Sequence, residues 1–145
     1  MDSDQFDEVV LALGHAVFAA QLFEMNLATL LVALNVAKGA SSKFADEAAV
    51  RAWLDHVNTL PVGQRKKQIS DIDLLPKAKV DAIAELHHLR IEIVHHFANK
   101  WAERLDSDEE RRQAIEHLDA SCMLFLAEAQ TLQTGLARMS DANIA

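Results

Sequence analysis

Apolar positions recur at steps of three and four residues in four segments of the chain, the period of a helix face turned toward a core. The first segment runs from about Asp4 to Lys38, with Phe6, Leu13, Val17, Ala20, Leu27 and Leu31 on one stripe; Gly39 stands where a left-handed C-cap is needed. A shorter helix is predicted from about Asp46 to Asn58, where Val50, Trp53, Leu54 and Val57 share a face before Pro61 ends it. A brief helical turn is expected around Arg65 to Ile69. The third long helix is predicted to start near Pro76, a residue suited to a first turn, and to reach about Lys100. Ser107 and Glu110 have the spacing of a capping box at the head of the last helix, whose seam is Ile115, Leu118, Cys122, Phe125, Ala129, Leu132 and Leu136. No sustained period-two run bounded by turns is present. The predicted fold is therefore all-α: one domain over residues 1–145, an up-and-down bundle of four main helices with a short extra helix or turn between the second and third.

Composition narrows the class. Half of the 145 residues are hydrophobic and only four are Gly and two Pro, which excludes disordered and fibrous chains. The single cysteine, Cys122, excludes an intrachain disulfide, and its place in the seam makes it a core filler. The start, MDSDQFDEVV, lacks the basic residues and apolar run of a secretory signal, so a cytoplasmic location is expected. The apolar stretch VFAAQLFEMNLATLLVALNVA is interrupted by Gln21, Glu24, Asn26 and Asn35, and reads as a core helix rather than a membrane span. A net charge of −8 disfavours general coating of nucleic acid, leaving Arg65, Lys66, Lys67, Lys77 and Lys79 as the best local basic patch.

Two charges interrupt the apolar stripes. On a helical wheel Arg90 falls among Ile83, Leu86, Ile93, Val94, Phe97 and Trp101, and Glu24 falls at the middle of the stripe of the first helix. An unpaired buried charge costs several kcal/mol, so Glu24 and Arg90 are expected to face each other as an ion pair. Such a pair either fixes helix register or also shapes a cleft. The opposite side of the third helix carries Glu85, His88, Glu92, His95 and His96. At i, i+4 and i+7, His88, Glu92 and His95 have a spacing that can converge on a divalent metal, an alternative to a polar outer face or a subunit contact.

The run from Arg90 through Ile91, Glu92, Ile93 and Val94 to His95 and His96 resembles the arginine, four-to-six residues, histidine motif of HEPN domains. A long first helix with a central acidic residue (LFEMNLATLL), and a motif late in the penultimate long helix, are similar to that family's bundle. The likeness in layout covers most of the chain; the motif itself is specific only over Leu86 to Trp101. It implies an all-α, commonly dimeric protein, with Arg90 and His95 or His96 as site residues and no cofactor. In catalytic members the arginine stabilises phosphate charge and a histidine assists proton transfer from the ribose 2′-hydroxyl without a metal. The position after the arginine, usually Asn, Asp or His, is Ile91 here. The wheel also sets Arg90 and His95 about 140° apart, so that aiming both at one phosphate requires Arg90 to reach around or a second subunit to contribute.

The expectation is thus a homodimeric HEPN-like module that binds a nucleotide, RNA or a protein partner such as an antitoxin without cleavage, in a toxin–antitoxin or phage-defence setting. A metal-independent ribonuclease using Arg90 with His95 or His96 is the alternative, and a metal-binding bundle through His88, Glu92 and His95 the second. The dimer is expected to use the Ile115 to Leu136 seam and the histidine-rich face.

Overall fold

In a computed structural model, residues 1–39 and 42–144 are described. They are helical almost throughout, with no strand among them. Helix α1 (Ser3–Lys38) opens on a capping box. Asp2 accepts from the Gln5 backbone N–H at 2.8 Å, and the Gln5 side chain accepts from the Asp2 N–H at 3.1 Å. It closes on Gly39 at φ +57°, the left-handed conformation that a residue without Cβ adopts freely. A 3₁₀ turn (Ser42–Phe44) leads to α2 (Glu47–Asn58), capped by Asp46, which accepts from the Ala49 N–H at 2.8 Å. The expected extra turn is a nine-residue helix, α3 (Val62–Ser70), and α4 (Lys77–Ile91) follows Pro76.

The third long helix departs from its expected form. After α4 the backbone widens into a π-turn (Glu92–His96), then returns to a short α5 (Phe97–Trp101) and a 3₁₀ turn (Ala102–Arg104) before α6 (Asp108–Ile144). The capping box at the head of α6 is half formed. Ser107 Oγ accepts from the Glu110 N–H at 3.4 Å, but the Glu110 carboxylate accepts from Arg104 Nε at 2.9 Å instead of reaching back to Ser107.

Contacts along the helices give their directions. The N-terminal amine meets Asp106, Cys122 Sγ reaches the His15 carbonyl, Phe23 packs on Phe125, and Gly135 lies over Leu30; α1 and α6 therefore run parallel and pack along most of their length. Thr29 bonds Glu47, while Glu24 and Ala28 share a cavity wall with Arg51 and Leu54, so α2 runs against α1. Helix α4 also runs against α1, from Leu75 and Lys79 beside Leu34 to Arg90 beside Glu24. The all-α class holds. The short extra helix stands where expected, as α3, while the first and last helices are parallel neighbours, unlike those of a plain four-helix up-and-down bundle.

Phe23, Leu27, Leu31, Val50, Val57, Ile69, Val80, Ile83, Leu118, Phe125 and Leu132 form the fully enclosed core. The seam of α6 is used up in that core, with Ile115, Cys122 and Leu136 partly buried against it, so it is not the subunit surface expected of it. Helix α1 is more apolar than the other long helices. In length and composition it matches a membrane-crossing helix, yet in this fold its inward face is packed and its outward face leaves Leu11, Phe18 and Met25 exposed.

Candidate functional site

Arg90, near the end of α4, and Glu24, mid-way along α1, form an ion pair across the helix interface. Their side chains are 17% and 18% exposed, so both charges are largely removed from water. Burial raises the Glu24 carboxyl above its usual range, against the lowering pull of Arg90. Arg90 Nη1 is enclosed and makes no hydrogen bond among the described residues. The pair lines a cavity of about 330 Å³ with Gln21, Met25, Ala28, Arg51 and Leu54. Arg51, exposed on α2, is in no ion pair among the described residues and adds a second guanidinium to the wall. Sequence reasoning missed Arg51, because its place at the cavity depends on how α2 docks against α1.

The motif histidines lie elsewhere. His95 and His96 are exposed, their ring centroids 6.4 Å apart, and neither lines the Arg90 cavity. The π-turn that carries them is a local widening of a kind often found at functional positions. It also turns Val94 out to solvent, at 37% exposure, where the wheel had placed it with the core. Ile91, the atypical motif position, is buried.

The metal cluster of the second alternative does not assemble among the described residues. His88 Nε2 and Glu92 Oε1 stand 4.0 Å apart, but among the described residues no group of three or more His, Cys, Asp or Glu side chains is placed to hold a metal ion. The i, i+4, i+7 relation of His88, Glu92 and His95 presumes α-helical geometry, and the i→i+5 bonding that begins at Glu92 rotates His95 off that row.

His87, which the wheel left unassigned, is enclosed in the bundle with Nε2 2.6 Å from Asn58 Oδ1. Burial, then the nearby Arg90 and Arg65, lower it to about 4; it is the neutral tautomer that donates from Nε2 to the Asn58 amide oxygen. On the other side of α4 a half-open cleft of about 570 Å³ has an apolar floor that includes Leu89, Ile93 and Trp101, under a rim of His88, Glu92, Lys100 and His117. His117 stacks on Trp101 at 6.3 Å and is lowered by burial, then by Lys100, against Glu92. Burial raises the Cys122 thiol, with Asp119 adding to the effect, which disfavours the thiolate that a nucleophile requires.

Most of the basic run is engaged by partners within the chain, largely at its surface. Lys66 pairs with Glu85 at 3.3 Å, Lys77 with Asp81 at 3.9 Å and Lys79 with Glu128 at 2.8 Å, while Arg65 donates to the Leu60 carbonyl at 3.0 Å. Compared with protein-family models, curated proteins and solved structures, the chain matches none.

Proposed function

We propose that this protein is a HEPN-like helical module, acting in the cytoplasm as a pair of identical chains, that binds the phosphate of a nucleotide or RNA strand without cleaving it. A toxin–antitoxin or phage-defence role follows from the same resemblance. The observation that carries the reading is the cavity on α1, α2 and α4, whose wall holds two guanidinium groups, Arg90 paired with Glu24 and Arg51 exposed. Guanidinium groups bind phosphate through paired N–H donors, and a concave, mostly apolar pocket raises the value of each such bond. The absence of His95 and His96 from that cavity supports binding over cleavage, because a general base must lie within hydrogen-bond reach of the proton it removes.

The metal-independent ribonuclease keeps one supporting observation. His95 and His96 are both exposed on a π-turn immediately after Arg90, accessible to a substrate that spans two chains. Purified protein is incubated with total RNA in EDTA, and in parallel titrated with a fluorescent nucleotide and a short labelled RNA. The proposal expects intact RNA and saturable binding that weakens in Arg51→Ala and Arg90→Ala. Cleavage in chelator that vanishes in both Arg90→Ala and His95→Ala/His96→Ala would establish the ribonuclease instead. Binding unchanged by both arginine substitutions would remove the cavity from consideration.

A further inference from the structure

Leu11, Phe18 and Met25 lie seven residues apart on the outward face of α1 and are 61%, 62% and 48% exposed. Gly14 and Gln21 fill the intervening steps, giving the three-four-three-four spacing of a helix-packing seam that is separate from the seam buried inside the bundle. Nothing lies within 4 Å of where a Cβ on Gly14 would stand, so the stripe has a shallow open notch. Inside one chain α1 is covered only on its inner half, which leaves these large apolar side chains in water beside the polar His15 and Gln21.

We infer that the outward face of α1 is a self-association surface, on which a second copy of this chain docks antiparallel about a two-fold axis near Phe18 and closes the Arg90 cavity. The spacing of the stripe is symmetric about Phe18, with Leu11 and Met25 each seven residues away, which is the requirement of an isologous contact. Met123 and Leu126 on α6, at 66% and 39% exposure, extend the apolar surface beside the His15 turn, where Cys122 meets α1. Together these five side chains offer roughly 500 Å² per copy, or roughly 1,000 Å² in all, the lower bound for a specific interface. Met25 and Gln21 belong to both the stripe and the cavity wall, so the partner helix lies over the mouth of the Arg90 cavity.

The inference rests on the two-copy reading, and it is independent of whether the site binds phosphate. Its test combines sedimentation with crosslinking in a Cys122→Ser background, using a bis-maleimide that spans the 8–10 Å between packed helices. Phe18→Cys crosslinks to itself, and Leu11→Cys mixed with Met25→Cys crosslinks as a heterodimer. Leu11→Cys alone does not, because its two copies stand about 21 Å apart along the helices at 1.5 Å per residue. Phe18→Glu, an exposed position whose folding is checked by circular dichroism, weakens the dimer on the order of 100-fold. A wild-type protein that is monomeric at tens of micromolar overturns both this surface and the two-copy reading, as does a monomer that floats with phosphatidylcholine vesicles through α1. A dimer that survives Phe18→Glu and crosslinks in none of these pairs overturns this surface alone.

Discussion

Removing either member of the Glu24–Arg90 pair is not symmetric, and the asymmetry is measurable. Both side chains are less than one-fifth exposed, so their solvation is largely lost on folding. Glu24→Ala leaves a guanidinium in the interface, and guanidinium groups do not escape burial by shedding a proton; a cost of about 3 kcal/mol is expected, the lower part of the range for broken buried pairs. Arg90→Ala leaves a carboxyl that is already raised by burial, and without Arg90 it rises further and takes up a proton. That substitution should cost only about 1–2 kcal/mol at pH 7. Because the folded value of Glu24 lies above the unfolded value of 4.5, the folded chain holds the proton more tightly. The group's contribution is therefore most favourable below 4.5 and is lost as pH rises through the folded value. In Arg90→Ala this loss moves to higher pH, so the variant's deficit should be smaller at pH 5 than at pH 7. The double replacement Glu24→Leu/Arg90→Met should come within about 1 kcal/mol of wild type, because it strands neither charge. Urea melts at both pH values, with slopes checked for constancy, give the cycle. Equal single costs that simply add, with no pH dependence in Arg90→Ala, would refute the reasoning.

His87 supplies a second pH dependence of opposite sign: depressed to about 4 in the fold against 6.5 when free, it stabilises fully above 6.5 and loses about 1.4 kcal/mol per pH unit as pH falls from 6.5 toward 4. Melts of wild type and His87→Gln across that window should diverge, and parallel curves would exclude the assignment. Asn58→Ala removes the acceptor of the His87 N–H and should cost about 1–3 kcal/mol in a urea melt. Gly39→Ala meets no atom within 4 Å, so its penalty, about 1 kcal/mol, is that of a side chain at φ +57° and should appear as a lowered midpoint with an unchanged urea slope. At the head of α6, Ser107→Ala should cost under about 1 kcal/mol because its bond to Glu110 N is long. Glu110→Ala should act through Arg104 rather than the cap, so the two substitutions add in a thermal melt.

Helix boundaries were legible from local chemistry alone. Asp46, Pro76 and Ser107 start helices and Gly39 ends one because capping and backbone preference act within a few residues, and the observed ends fall within a residue or two of those expected. The three-four apolar period likewise marked the inner faces of α2 and α6, and the cost of an unpaired buried charge was enough to match Glu24 with Arg90. What tertiary structure decided is everything that depends on distance between segments or on a local break in the helical repeat. The π-turn at Glu92–His96 cannot be read from a wheel that assumes one angle per residue, and it takes His95 off the supposed metal row; the separation of His95 from Arg90 was already legible on the wheel. The parallel course of α1 and α6 consumes the last helix's seam and leaves the outward stripe of α1 uncovered. The docking of α2 brings Arg51 beside Arg90, and that of α4 encloses His87 against Asn58. Residue type sets which side chains need partners; only the packed fold, through the directions and offsets of its helices, determines which partners they meet.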